Sequence, residues 1–512
     1  MSLATLIKRL QDVMRRDPGV DGDVQRLNQF VWLIFLKVFD YKEEESELDD
    51  DYKPIIPEGY RWRDWANPLN DEGEPDVKNQ LTGPELIDYV DNQLLKVLRG
   101  EPIIIDGKSE LIFDSNDDRA MVVKQVMADA INLMKDGYLL REVVNLFNEV
   151  DLSETGESHE FSEMYESLLD GLQAMGKYGE FHTVKAITHF SVDKVAPKLG
   201  ETCADWACGT GGFMVDCLDA LRKQIRLGHN EDYIKWQNSV RGGEFKPMPY
   251  RLCVTNMLLH GIDVPNIRYG DSLDIKNFSE YYGDDLVDVC CLNPPYGGVA
   301  SDSDKMAFPA DMRSSETADL FIALTVKRLK KNGRAVVVCP DGFLFGNDNA
   351  KTAIKQYLMK ECNLHTIIRL PQSCFAPYTS IATNLLFFDK TRPTEETWFY
   401  RLDMPAGYKH FSKTKPMKRE HFVPCDEWWD NRVEIKDEKK DNSTTETWKA
   451  KKYTFDEIAN NGYNLDLCGY PTEEKIILSP EETINNFIAK RNELDKEMDD
   501  KLAEIKHLLG VE

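Results

Sequence analysis

The stretch TCADWACGTGGF, residues 202–213, decides the fold class because a predicted strand runs directly into a glycine-rich turn. Glycine lets a ligand approach the backbone closely, and the start of the following helix offers N–H groups to an anion. The glycine spacing is not that of a dinucleotide-binding turn, and the turn lacks the lysine of a phosphate-binding P-loop. The stretch predicts a ligand site between strand and helix, although similar turns also serve as simple connections.

Short β-branched runs alternate with helical stretches from about residue 160 to residue 395. After the first strand, the runs are SVRGGEF, VDVCCL, RAVVVC, HTIIRL and TNLLFF. This alternation is typical of βαβ units on a mainly parallel sheet, in which ligands lie beyond the carboxyl ends of the strands. We therefore predict an α/β fold for this region.

Two acidic residues follow the next predicted strands. Glu244 ends the strand SVRGGEF, where a carboxylate can accept hydrogen bonds from ribose hydroxyls. Asp271, in IRYGDSL, closes the third strand, where an acid can accept a hydrogen bond from an exocyclic amine such as that of adenine. A nucleoside ligand is favoured over a pyrophosphate, and S-adenosylmethionine fits this description.

The segment Asn293-Pro294-Pro295-Tyr296 follows the buried run VDVCCL, at the fourth strand end. The amine of adenine is a poor nucleophile because its lone pair is delocalised into the ring. The Asn293 side-chain oxygen and a proline carbonyl can hold its two hydrogens, and the prolines preset the backbone. Tyr296 offers a face on which an extruded base can stack. An ordinary proline turn is the alternative, but the preceding glycine turn, Glu244 and Asp271 favour methyl transfer.

The overall charge argues against unaided binding of nucleic acid. Asp and Glu outnumber Lys and Arg by 89 to 63 in 512 residues, a formal net charge of −26. Phosphate neutralisation by basic side chains drives binding to DNA or RNA. A nucleic-acid role is therefore local, or shared with a basic partner.

Cysteine and histidine usage indicates neither disulfides nor a metal site. The eleven cysteines include no Cys-x-x-Cys pair, and the nine histidines show no metal-ligand spacing. The sequence shows no signal peptide and no long apolar span, so no membrane association is expected. These features predict a reduced, cytoplasmic protein without bound metal.

Composition divides the chain into four predicted domains. Residues 1–158 show helical periodicity, and 159–395 form the predicted catalytic domain. Residues 396–475 are a polar extension with isolated aromatics, and 476–512 form a terminal helix. The helical amino-terminal domain offers little chemistry.

The terminal helix has signals for its start and for one apolar face. Ser479 is the predicted N-cap, with Pro480 at the first helical position and Glu482 completing a capping box. A mostly apolar stripe follows at three- and four-residue spacing, made of Ile484, Phe487, Arg491, Leu494, Met498, Lys501, Ile505 and Leu508. The stripe suits a coiled-coil seam or a helix that folds back on its own domain, and both remain open.

Several motifs together resemble one known family. DWACGTGGF, NMLLHGI, GDSL, NPPYG, PDGFLFG and LPQSCFAPYTSIATNLLFF are similar to the modification subunit of type I restriction-modification systems. The similarity runs from about residue 160 to residue 470. It implies a Rossmann-like, S-adenosylmethionine-dependent core that methylates the N6 amine of a DNA adenine.

The resemblance also implies site residues. The catalytic tetrapeptide corresponds to residues 293–296, and a segment that folds over the cofactor corresponds to residues 180–183. The candidate cofactor residues are Glu180, Phe181, His182, Thr183, Asp205, Gly209, Thr210, Gly211, Gly212, Glu244 and Asp271.

Partners are implied in the same way. Family members act on DNA with a separate specificity subunit, two modification subunits to one specificity subunit, and with a restriction subunit in the full complex. Two other interpretations are a methyltransferase of glutamine amides in release factors and a catalytically silent assembly subunit. The first family is shorter and lacks the long capped helix, and intact Asn293, Tyr296 and Glu244 argue against the second. A fused nuclease is disfavoured because no convincing acid-x-Lys run lies outside the core.

Overall fold

The computed structural model describes residues 3–49, 51–70, 72–149, 183–376, 379, 381–437, 447–469 and 480–509. The chain forms two compact units. The first comprises Met1–Ile435 and Lys449–Gly469, and the second comprises Lys436–Trp448 and Tyr470–Glu512.

The amino-terminal part of the first unit is mainly helical. Its elements are α1 (Leu3–Met14), α2 (Asp23–Ser46), α3 (Trp62–Trp65), α4 (Gly83–Tyr89), a π turn (Val90–Leu94), α5 (Leu95–Leu98), the hairpin β1 (Ile103–Ile105) and β2 (Lys108–Glu110), α6 (Asp118–Met127) and α7 (Gly137–Asn148). Along α2 the run Phe30–Leu36 is buried on every side, as expected for a helix at the centre of a bundle.

The rest of the first unit surrounds a large sheet. Its strands are β3 (Cys203–Asp205), β4 (Val240–Glu244), β5 (Ile267–Tyr269), β6 (Val287–Leu292), β7 (Leu329–Pro340), β8 (Asn363–Arg369), β9 (Thr383–Asp389), β10 (Glu396–Arg401), β11 (Ile435–Lys436) and β12 (Trp448–Thr454). Its helices are α8 (Lys185–Val195), α9 (Gly212–Arg222), α10 (Asn230–Gln237), α11 (Pro247–Leu259), α12 (Asp302–Ala307), α13 (Thr317–Arg328), α14 (Asp341–Phe345), α15 (Asn349–Glu361), α16 (Val423–Asp430) and α17 (Phe455–Asn460).

The strand order is β11-β12-β10-β8-β9-β7-β6-β3-β4-β5. From β5 to β7 all neighbouring strands are parallel, and β9 runs antiparallel between β7 and β8. The chain starts this sheet at β3, winds out to β5, then returns to pair β6 on the other side of β3. The boundary between β3 and β6 is therefore the switch point at which a ligand crevice opens in doubly wound sheets.

The predicted α/β fold is confirmed. The run VDVCCL forms β6, and the other five predicted runs each overlap one of β3, β4, β7, β8 and β9. The polar extension also contributes to the sheet, because β10 pairs parallel with β8 and antiparallel with β12. Aromatic side chains of the extension explain this, since Phe399 and Tyr400 are buried.

The second unit contains a long helix, α18 (Pro480–Leu509). Six apolar side chains on it are exposed, with exposed fractions of 49 % to 68 %, namely Ile484, Phe487, Ile488, Leu494, Met498 and Leu502. The predicted N-cap Ser479 lies outside the described residues, as do the side chains of Ile505 and Leu508. None of the helices in the described ranges combines the length and the apolar character needed to cross a bilayer.

Candidate active site

The glycine turn after β3 is shaped for close approach to its backbone. Gly209 and Gly211 have φ values of +55° and +90°, in the left-handed region that glycine adopts without strain. A Cβ atom added to Gly211 would lie 3.0 Å from the Cys253 Sγ atom. Asn256 on α11 donates from Nδ2 to the Thr210 carbonyl at 3.0 Å. The turn is therefore fixed from below by α11, and α9 begins at Gly212.

Glu244 connects the end of β4 to this turn. Its carboxylate accepts hydrogen bonds from the backbone N–H of Gly209 at 2.9 Å and of Lys246 at 2.8 Å. Burial raises the pKa of Glu244, and the two backbone donors partly offset that effect. Each carboxylate oxygen has a second lone pair, so the side chain that holds the turn can also accept from a ligand hydroxyl.

Asp205, the last residue of β3, is a second buried carboxyl group at the same edge of the sheet as Glu244. It is 2 % exposed, and its Oδ1 atom accepts from the Ala207 backbone N–H at 3.0 Å. Burial raises the pKa of Asp205 to about 8, and the nearby Glu244 adds to the shift. Near neutral pH the side chain is therefore mostly protonated in the free protein.

Asp271 lies two residues beyond the end of β5, beside the end of β4. The Gly270 N–H donates to the Glu244 backbone carbonyl at 2.9 Å, which joins the two segments. Asp271 Oδ1 accepts from the Leu273 N–H at 2.9 Å. Partial burial raises the pKa of Asp271, and the carboxyl of Asp304 contributes. The structure thus brings Asp205, Glu244 and Asp271 to adjacent strand ends.

Asn293 follows β6 directly, on the other side of the switch point. Its Nδ2 atom donates to Thr183 Oγ1 at 2.9 Å, and its Oδ1 atom accepts from the Tyr296 hydroxyl. The Pro294 side chain is buried, and no described residue donates to the Pro294 carbonyl. The amide is therefore held in one orientation, with a carbonyl acceptor one residue away.

Tyr296 is half-buried, and burial raises the pKa of its hydroxyl. Its ring meets the Phe375 ring edge to face, with centroids 6.4 Å apart. The Pro295 carbonyl accepts from Thr317 Oγ1 at 3.4 Å, a long contact that links the tetrapeptide to α13. Tyr296 and Phe375 together form an aromatic wall beside Asn293.

Sequence reasoning missed three contacts of this site. Thr183 was a candidate cofactor residue, but its described contact is with Asn293. Asn256 and Phe375 lie inside the family-like motifs NMLLHGI and LPQSCFAPYTSIATNLLFF, but the motifs alone did not indicate what these two residues contact. Glu180, Phe181 and His182 lie outside the described residues. Within the described ranges, no group of three or more metal-ligating side chains was found.

A doubly wound sheet with a glycine turn and an Asn-Pro-Pro-Tyr segment at its switch point defines an α/β methyltransferase. Residues 156–477, more than half of the chain, match the family model described as N-6 DNA Methylase. The chain is 44% identical over 496 residues to the type I restriction enzyme EcoEI methylase subunit of Escherichia coli, covering 96% of each. It is 26% identical over 428 residues to the EcoKI methylase subunit of E. coli K12, covering 80% of this chain and 72% of that one.

Solved structures agree with this assignment. A modification subunit from Vibrio vulnificus YJ016 superposes with a TM-score of 0.75 at 36% identity, covering 91% of this chain and 95% of that one. A chain from a study of type I R-M complex assembly superposes with a TM-score of 0.74 at 29% identity, covering 99% and 98%. The chain belongs to the N-6 DNA methylase family, among the methylase subunits of type I restriction enzymes.

Proposed function

We propose that this chain transfers a methyl group from S-adenosylmethionine to the N6 amine of an adenine extruded from DNA. It acts as the modification subunit of a type I restriction-modification system. The observation that carries the proposal is the position of Asn293 at the end of β6, next to the glycine turn at the end of β3. An amine acceptor and a cofactor turn on adjacent strands are what direct transfer of a methyl group requires.

The residues present fit S-adenosylmethionine. Gly209 and Gly211 keep the turn free of side chains, and Glu244 retains acceptor capacity for the ribose hydroxyls. Asp271 would accept from the adenine amine of the cofactor, while Asp205 supplies a carboxyl group near a cationic ligand. When bound, the cofactor supplies an electrophilic methyl group on a sulfonium centre.

The chain's own residues prepare the target amine. The Asn293 Oδ1 atom and the Pro294 carbonyl accept its two hydrogens, which directs the nitrogen lone pair toward the methyl group. Thr183 holds the amide in this orientation through Nδ2. Because Tyr296 now donates to Oδ1, the amine displaces this hydroxyl when the base stacks on the tyrosine ring.

Sequence recognition is assigned to a separate specificity subunit, with two copies of this chain to each and a restriction subunit in the full complex. The net charge of −26 supports this, because a chain so acidic gains little from a phosphate backbone by itself. All eleven cysteines are buried free thiols, as suits the cytoplasm.

Sequencing methylated adenines in DNA from cells with and without this gene and its neighbours tests the proposed function. Identical methylation patterns would refute it.

Cofactor affinity is expected to depend on pH through Asp205. The free protein keeps this carboxyl protonated up to a pKa of about 8, whereas a cationic cofactor favours the ionised form. Binding then releases a proton, so affinity rises with pH by up to about tenfold per unit below this pKa and levels off above it. Calorimetry of S-adenosylmethionine binding at several pH values below and above this pKa measures the effect.

Asp205→Asn is the control for this prediction, since an amide cannot titrate. The variant should bind S-adenosylmethionine more weakly at alkaline pH and show no Asp205-linked pH dependence. An unchanged pH profile in the variant would assign the proton release to another group.

Glu244→Ala is expected to weaken S-adenosylmethionine binding by about 1.5 to 3 kcal/mol, the range for hydrogen bonds that involve a charged group. The loss has two sources, because Glu244 both accepts from Gly209 and is the proposed ribose acceptor. Glu244→Gln keeps one acceptor oxygen, so its affinity for S-adenosylmethionine should lie between those of the wild type and Glu244→Ala. Unchanged affinity by calorimetry, with both variants folded, would place the ribose elsewhere.

A further inference from the structure

The segment 408–419, YKHFSKTKPMKR, which we call the basic hairpin, stands out by its charge. It contains five Lys or Arg residues and no Asp or Glu, in a chain whose formal net charge is −26. Nothing in the proposed chemistry of the tetrapeptide or the cofactor turn uses these side chains. The hairpin is therefore a candidate binding surface for a partner of opposite charge.

The basic hairpin is firmly built. Ser412 and Lys415 exchange backbone hydrogen bonds of 3.0 and 3.1 Å, which closes the turn. Its own side chains Phe411 and Met417 are buried, with exposed fractions of 1 % and 4 %. At its base the Arg419 guanidinium pairs with the carboxylates of Asp193 and Asp426. These contacts hold the basic hairpin in one position on the first unit.

Three lysines of the basic hairpin, which we call the tip lysines, are available, two in the turn and one just before it. Lys409, Lys413 and Lys415 are exposed. Within the part of the chain that the structure describes, no carboxylate lies within 4.0 Å of their Nζ atoms. An exposed ammonium group without an ion-pair partner gives up little when it approaches an anion.

The base of the basic hairpin lies next to the active site. The Phe411 backbone N–H donates to Ser373 Oγ at 2.9 Å. Ser373 and Phe375 lie two residues apart in the loop after β8, and the Phe375 ring contacts Tyr296 at the 6.4 Å centroid distance given above. Two contacts therefore join the hairpin to the ring on which the extruded base is proposed to stack.

We propose that the tip lysines of the basic hairpin bind backbone phosphates of the duplex beside the extruded adenine. This inference rests on the proposed function, because a base at Tyr296 brings its flanking phosphates to the same edge of the sheet. It also explains how an acidic chain contacts DNA, since these exposed lysines belong to a hairpin that contacts the loop beside Tyr296. An acidic surface of a partner protein is the competing occupant.

The test compares two triple variants of the intact complex with the specificity subunit. K409Q/K413Q/K415Q neutralises the tip. K198Q/K331Q/K360Q is the matched control, because these exposed lysines lie at the amino-terminal ends of β3, β7 and β8, the sheet edge opposite the site. Both variants lose the same charge. The probe is a fluorescent duplex carrying the sequence found methylated in the host DNA, titrated at several salt concentrations.

The tip variant is expected to bind this duplex about tenfold more weakly or worse at 0.1 M salt, with a salt slope smaller by about 2 to 3, since each phosphate contact contributes about 0.9. S-adenosylmethionine affinity and assembly with the specificity subunit should be unchanged. Equal affinity and slope for the tip and control variants would overturn the proposal. Loss of assembly without DNA would also overturn it, by assigning the hairpin to a protein partner. Failure of the proposed function is distinguishable, because the wild-type complex would then methylate no duplex at all.

Discussion

Replacing Asn293 by alanine is expected to lower the rate of methyl transfer by at least about 10² to 10³-fold, the loss typical of removing one preorganised polar group from a transition state. The acceptor Oδ1 atom disappears, so the amine's lone pair is no longer directed at the methyl group. Affinity for S-adenosylmethionine should stay within a few-fold, because the proposed cofactor residues lie at or just beyond the ends of β3, β4 and β5. Single-turnover methylation with calorimetry separates the two effects.

Three further variants locate the origin of the Asn293 effect. Thr183→Val removes only the hydrogen bond that orients the amide, so a smaller loss of rate is expected than for Asn293→Ala. Tyr296→Phe keeps the stacking ring and releases Oδ1, so its effect should be mild, whereas Tyr296→Ala also loses a stacking contact of about 1 to 3 kcal/mol. Near-normal methylation by Asn293→Ala would remove Asn293 from the catalytic assignment.

Truncation after Tyr470 is expected to abolish assembly with the specificity subunit, and with it all DNA methylation, while S-adenosylmethionine binding survives. The cut removes α18, on which Phe487, Leu494 and Met498 are 68 %, 56 % and 61 % exposed. Burying each such side chain against a partner contributes about 1.5 to 3 kcal/mol. Size-exclusion chromatography with light scattering measures the complex directly.

A substitution version of this experiment keeps the helix. Phe487→Ser, Leu494→Ser and Met498→Ser together remove three of the six exposed apolar side chains, including the two most exposed. Lys490→Ala, Lys496→Ala and Lys506→Ala alter exposed charged positions of the same helix outside the stripe and serve as the control. Assembly should fail for the first set and persist for the second. A full-strength complex with the serine variant would show that this stripe does not dock the partner.

Short-range sequence patterns were enough to predict several strands, the glycine turn and the fold class of this protein. The β-branched runs and the glycine turn marked β3, β4 and β6, and the tetrapeptide marked the end of β6, which we propose is the catalytic strand end. These features follow from local backbone preferences and from the periodicity of apolar side chains, which neighbouring residues specify. The α/β fold class then follows from the order of the elements along the chain.

Contacts between distant segments were decided only by the tertiary structure. Thr183 meets Asn293 across 110 positions of sequence, and Ser373 joins the basic hairpin to the loop beside Tyr296. The extension reaches the sheet through β10 and β12, which composition alone assigned to a separate region. Such neighbours depend on strand order and on the packing of loops above it. Local periodicity places a side chain on one face of its own element, but it does not specify which other element will cover that face.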